Sequence, residues 1–119
     1  MPRILTALCL AIAFATLHVS AIVAQAQDQT LQFLLADAAA DQSRGDFASA
    51  AESYRKATEI DPSIPELWAN LGLMDHQIGK SSEAIESFKH AIRIKPGLFV
   101  PQLFLGIEYL AAKNPAAAL

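Results

Sequence analysis

Few side chains in this sequence have both the type and the spacing to do chemistry. Asp37 and Asp41 lie four residues apart, so a helix would set both carboxylates on one face, the arrangement that paired acids use in general acid–base work. A solvated helix face accounts for the same pair, with Arg44 near enough along the helix to offset part of the repulsion. His76 and His90 would need further ligands to hold a metal, and no third ligand follows from the spacing. The single cysteine, Cys9, excludes an internal disulfide and a cysteine-ligated zinc site. HExxH, GxSxG and CxxC are absent, the five glycines form no phosphate-binding loop, and no loop alternates acidic residues for calcium. The sequence therefore predicts no enzyme: no catalytic residue, no metal site and no cofactor.

Composition narrows the partners. A chain of 119 residues, 53% hydrophobic and 18% charged, is one small domain at most and too apolar to be disordered. Arg3 is the only charged residue before Asp28, which leaves 8 basic against 12 acidic side chains and a formal net charge of −4 for the remainder. A weakly acidic domain without a basic run does not suit phosphate backbones, so nucleic acid is excluded as an expected partner.

The first 26 residues read as an export signal. Arg3 supplies a positive charge, residues 7–15 are an unbroken apolar run, and Ala24-Gln25-Ala26 is a small-x-small cleavage site. The mature chain is then expected to begin at Gln27, in the periplasm or secreted, with no membrane association, and with residues 27–30 as a short linker. An uncleaved anchor is the alternative, because residues 4–23 match the ~20 needed to span a bilayer. Cys9 precedes most of the apolar segment, and Thr6-Ala7-Leu8 is a poor lipoprotein box, so Cys9 is read as a signal-peptide residue.

The elements that must carry any site are set by an internal repeat. At an offset of 34 residues, Gly45 matches Gly79, Ala50 matches Ala84, Glu52-Ser53 matches Glu86-Ser87, Ala57 matches Ala91, and Pro62 matches Pro96. Tyr54 and Phe88 pair as aromatics, and Leu105-Gly106 opposite Leu71-Gly72 begins a third copy. Fixed self-similarity of this length means stacked units that cannot bury their apolar faces alone. Each unit reads as two helices. In the second, Ser63 and Glu66 form a capping-box pattern around Pro65. Leu67, Trp68, Leu71, Met74 and Ile78 recur at helical spacing as far as Gly79. The partner helix, about residues 82–94, is stopped by Pro96, and in the first unit a helix ends at Gly45 and another runs from about 48 to 60. Trp68, Phe88 and Tyr54 are expected in the core.

These positions resemble the tetratricopeptide repeat. Residues 65–98 supply its Trp68, Leu71, Gly72, Gly79, Ala84, Phe88, Ala91 and Pro96, departing at Asp75, where the family usually has Tyr. Residues 31–64 supply Gly45, Ala50, Tyr54, Ala57 and Pro62. In their first helix Leu34, Asp37 and Asp41 replace the usual Trp, Leu and Tyr. Residues 99–119 supply Leu105, Gly106 and Tyr109 and make a partial third repeat. The resemblance implies an all-α solenoid of helical hairpins, two full repeats plus the first helix of a third.

It also implies a concave groove lined by the first helices, which holds an extended peptide or a partner helix. Carried onto this sequence, the groove would be Gln32, Leu35, Ala36, Ala39, Gln42 and Ser43 in the first repeat. It would continue through Glu66, Ala69, Asn70, Leu73, His76 and Gln77 in the second, then Val100, Leu103, Phe104, Ile107, Leu110 and Ala111 in the third. Members of the family that clamp a terminal carboxylate use Lys, Arg and Asn there; only Asn70 is present, so that activity is not expected. The segment from Leu98 to Leu110 is apolar nearly all round, as a helix with neighbours on both sides would be. We therefore expect this chain to be the N-terminal part, a fragment, of a longer protein; self-association through the apolar C-terminal helix is the alternative. The functional expectation is an exported interaction or assembly scaffold. Rival readings are the adaptor repeats of a longer cell-envelope enzyme and a membrane-anchored assembly factor.

Overall fold

The computed structural model describes residues 2–113, and among these every regular element is helical: α1 (Pro2–Arg44), α2 (Phe47–Ile60), α3 (Pro65–Gln77), α4 (Ser81–Ile94) and α5 (Phe99–Lys113). The chain divides into two units, residues 1–32 and 33–119. The expected turn at residues 114–119 lies outside the described residues.

The first unit is the N-terminal part of α1. It is long and apolar enough to cross a membrane, and its apolar window buries nothing: Leu5, Leu10, Phe14 and Leu17 are all exposed. Its few polar side chains turn back onto their own helix. Thr16 Oγ1 donates to the Ala13 carbonyl at 2.9 Å, and Ser20 Oγ to that of Thr16 at 3.0 Å. Residues 27–30, read from sequence as a linker, lie within this helix.

In the second unit the sequence repeat becomes a repeat of backbone geometry. Gly45 and Gly79 end α1 and α3 at φ +76° and +77°, a region where only a residue without Cβ is unstrained. Each sits in the same double closure. Gly45 N–H donates to the Gln42 carbonyl and Asp46 N–H to that of Asp41, at 3.0 and 2.9 Å. Gly79 and Lys80 repeat this on His76 and Asp75, at 3.1 and 2.8 Å. The second helices close alike: Asp61 N–H reaches the Ala57 carbonyl at 3.0 Å and Lys95 N–H that of Ala91 at 2.9 Å, before Pro62 and Pro96 prevent extension.

The core is built largely from alanine, which lets helices approach closely. Ala38, Ala50, Ala51, Tyr54, Leu71 and Met74 form one buried cluster joining the end of α1, α2 and α3. Ala84, Phe88 and Ala91 of α4 are fully buried, and Phe88 lies against Gly72. Helix α5 packs mainly on α4 and less on α3.

Two local expectations are corrected. Ser63 is not the N-cap of α3: that place is taken by Ile64, without a side-chain bond, and Pro65 starts the helix. The Ser63 hydroxyl donates instead to Asp61 Oδ1 at 2.6 Å, because the turn out of α2 brings that carboxylate within two residues. Glu66 stands 3.6 Å from Lys95 Nζ. Trp68, expected in the core, packs against the core cluster without being buried in it. It is half-buried, stacked on His90 with ring centroids 4.2 Å apart, and its indole N–H donates to the Pro62 carbonyl at 2.9 Å. An indole N–H needs a partner, and a main-chain carbonyl at the repeat boundary supplies one.

Candidate functional site

The first helices of the two complete hairpins and α5 carry the residues expected to line the groove. On α3, Ala69 is buried, Asn70, Leu73 and His76 are half-buried, and Glu66 and Gln77 are exposed. Leu73 also packs against the core cluster, as Leu35 of α1 does, so each gives only part of its surface to solvent. Ala36, Ala39 and Ser43 are exposed, while Gln42 is half-buried and accepts a bond from the Tyr54 hydroxyl at 2.8 Å. Gln32 falls in the N-terminal unit, where it donates to Asp28 at 3.2 Å.

Helix α5 supplies the apolar end. Leu103 is 46% and Ile107 39% exposed, and Val100 and Leu110 are open as well. Ala111 is half-buried. Phe104 differs from its neighbours because its ring turns inward. It stacks on Phe88 at 5.9 Å between centroids and meets the His76 ring edge-on at 5.0 Å. That contact joins two of the expected groove residues.

A polar contact that was not anticipated also holds α5 in place. Glu108 is 4% exposed despite its charge. His76 Nδ1–H donates to its Oε1 at 2.5 Å, and the Ser81 hydroxyl donates to Oε2. One carboxylate thus ties α3, the start of α4 and α5 together, each oxygen with a donor, as burial demands. The signal available in the sequence was that Glu108 is the only charge between Leu98 and Leu110. Its partners lie 27 and 32 residues away, beyond the reach of helical periodicity.

A second buried carboxylate replaces a core side chain. Asp75 is 1% exposed and its Oδ1 stands 3.5 Å from Arg55 Nη2 on α2. Burial pushes the Asp75 carboxyl above the ordinary carboxylate range, with Arg55 and Lys80 drawing it back and Glu83 adding to the rise. Asp37 and Asp41 behave as a surface pair, Arg44 binding Asp41. His76 and His90 are engaged separately, and among the described residues no group of three or more His, Cys, Asp or Glu could hold a metal.

Residues 40–79 match a family model described as TPR repeat, and residues 65–98 one described as tetratricopeptide repeat. Among curated proteins, the chain is 30% identical over 67 residues to the anaphase-promoting complex subunit CDC16 of Saccharomyces cerevisiae. That match covers 56% of this chain and 8% of the relative. It is 33% identical over 85 residues to the BBSome complex member BBS4 homolog of Drosophila melanogaster, covering 71% of this chain and 18% of the relative. The chain therefore spans less than a fifth of either relative. Among solved structures, it is similar in fold to the TPR2B domain of yeast Sti1 in its pHsp70 complex. The TM-score is 0.67 at 17% identity, over 76% of this chain and 72% of that one. The first TPR of Spaghetti (RPAP3), bound to the HSP90 peptide SRMEEVD, gives 0.62 at 19% identity, over 65% and 61%.

Proposed function

Since residues 40–98 of this chain are tetratricopeptide repeats, we propose that it is an exported protein–protein interaction scaffold whose groove holds a segment of a partner protein. The observation that carries this reading is the pair Leu103 and Ile107. They are large apolar side chains, 46% and 39% exposed, on a helix fixed from behind by Phe104 and Glu108. Apolar surface kept open on a rigid support is a binding surface in waiting. The two solved neighbours are both complexes by their descriptions, one with a peptide, which supports the same use here. The expected groove positions contain no Lys or Arg, so the segment taken is apolar and not an acidic tail. No chemistry is assigned to the site.

The test is capture of partners from an extract of the native host by the wild-type chain and by Leu103→Asp and Ile107→Asp variants. Both positions are open, so the variants keep their helicity while losing the partner. Phe104 is a poorer probe, because its ring is packed on Phe88 and His76. Equal capture by all three proteins would overturn the groove assignment.

Export rests on the exposed apolar helix and on Ala24-Gln25-Ala26 behind it. An intact mass starting at Gln27 supports cleavage. A mass retaining residues 1–26 makes the chain a membrane-anchored assembly factor, the second reading that the length of the apolar helix favours.

A further inference from the structure

Helix α3 has a second working face. At 100° per residue, Trp68, Leu71 and Asp75 project roughly 180° away from Leu73 and Gln77. They floor an open cleft of about 470 Å³ whose walls are α2, with Arg55 and Glu59, and α4, with Glu83 and Glu86. One repeat further on, Tyr109 stands in the register of Asp75.

Three features of the cleft agree on what would enter it. Its floor is apolar, Leu71 beside the Trp68 indole. Its lining carries more acid than base, Glu59, Asp75, Glu83 and Glu86 against Arg55, with Lys89 pairing Glu86 from beside the cleft at 3.2 Å and Lys80 acting on Asp75. Asp75 is also weakly held. A carboxylate has about four acceptor sites. This one, almost wholly buried, has its Arg55 contact at 3.5 Å, the outer limit of a hydrogen bond, and Arg55 is shared with Glu52 at 2.9 Å. The arrangement recurs one repeat earlier. Asp41, Glu52 and Ser53 line a recess of about 450 Å³ one period of 34 residues before Asp75, Glu86 and Ser87, and there Arg44 binds Asp41.

We propose that this cleft receives a basic segment of a partner protein, on the side of α3 away from the groove. One Lys or Arg side chain lies over Leu71 and Trp68 and brings its charge to Asp75, Glu83 and Glu86. Long basic side chains suit such a site, because the methylene stem packs on apolar surface while the head meets the carboxylates. A cation beside an indole gains further from the ring. Arg55 already seats a guanidinium at the cleft from within the chain. A second copy of this chain is the wrong occupant by charge, since the protein carries a formal net −3.

Trp68 is the only tryptophan, so its fluorescence reports on the cleft directly. The full chain, in nonionic detergent, is titrated with an acetylated and amidated Gly-Lys-Leu-Arg-Gly peptide, and with a control carrying Gln for Lys and Arg. The basic peptide is expected to shift Trp68 emission saturably, with the control at least about tenfold weaker. Glu83→Gln with Glu86→Gln, both exposed positions, should weaken the basic peptide by about tenfold, as loss of two rim charges would. Leu103→Asp should leave it unchanged. The proposal fails if the basic peptide gives no saturable shift, if the Gln control binds equally, or if the glutamine pair has no effect. It also fails if binding is lost on Leu103→Asp, which would place the peptide in the groove.

Discussion

A Cβ at Gly72 would stand 2.6 Å from Phe88 Cε1 and 2.7 Å from Cδ1, so the contact between α3 and α4 is a phenyl ring laid on bare backbone. Phe88 is fully buried, so its ring would have to move within the packed interior. Gly72→Ala should gain about 1 kcal/mol of helix propensity and lose more to overpacking, which costs about 1–3 kcal/mol. The net outcome is destabilisation, and Phe88→Leu added to the same chain should recover part of it. Urea denaturation followed by circular dichroism measures both; a Gly72→Ala protein as stable as its parent would show that the ring gives way freely.

Asp75 makes stability depend on pH in an unusual direction. Burial holds its folded-state carboxyl above the ordinary aspartate value of 3.8, so between those two values the folded chain binds more protons than the unfolded one. Its contribution is therefore full below pH 3.8 and is lost as pH rises through the raised value. Asp75→Asn, which is nearly isosteric, should be more stable than the parent at pH 7 and should flatten this part of the profile. Denaturation midpoints across pH 3–8 decide it, and an Asp75→Asn protein that is less stable at pH 7 would show that Arg55 outweighs burial.

Exposed Asp46 and half-buried Asp61 act the other way. Hydrogen bonds from Ser49 and from Ser63 hold their carboxyls below the ordinary range, so what they contribute is present above pH 3.8 and is lost as pH falls through the lowered values. The same midpoints contain both slopes, and Asp46→Asn should remove its share of one without touching the slope set by Asp75.

Loss of Glu108 should free α5 before anything else. Glu108→Ala leaves the His76 and Ser81 donors without their acceptor and is expected to cost about 1–3 kcal/mol. Hydrogen exchange should accelerate across Phe99–Lys113 while α3 and α4 keep their protection. Acceleration spread evenly over all the helices would mean that Glu108 supports the whole stack and not one junction.

The starts of α2 and α4 invite a simple gain. Asp46 and Lys80 occupy the same place in successive repeats, with φ of −84° and −85° and ψ of 71° at both. Asp46 accepts from Ser49 N–H at 3.1 Å, whereas Lys80 offers no side-chain cap. Lys80→Ser should stabilise the protein by about 1 kcal/mol, read as a higher denaturation midpoint. No change would mean that water already satisfies the first turn of α4.

The turns were legible in the sequence because glycine and proline act locally. Gly45, Gly79, Pro62 and Pro96 punctuate the chain where their spacing placed them, and the all-α hairpin fold followed from the repeat. Ser63 was misread for a related reason: a capping pattern with Glu66 looks the same in sequence whether its serine faces forward to the helix or back to Asp61. Trp68 sits in the apolar stripe of α3, yet its indole needed a carbonyl and settled at the rim. The buried carboxylates were hidden because the partners of Asp75 and Glu108 come from other helices, 20 to 32 residues away. Of the groove, the sequence marked out the open apolar positions Leu103 and Ile107, but not that Phe104 would turn inward.

Arg55 reaches Asp75 across 20 residues, and Lys89 stands beside Tyr109 across the same 20, so each second helix offers a cation to one register position of the hairpin that follows. That regularity would carry over into copies of residues 65–98. Copied head to tail, every new junction would set the lysine of one copy against the buried aspartate of the next, with the alanine seams and glycine turns already in phase. Longer arrays of this one unit would repeat that contact but would set Asn70 and Met74 where Phe104 and Glu108 hold α5, so each joint needs those two side chains restored before a further copy extends the acidic furrow by one period.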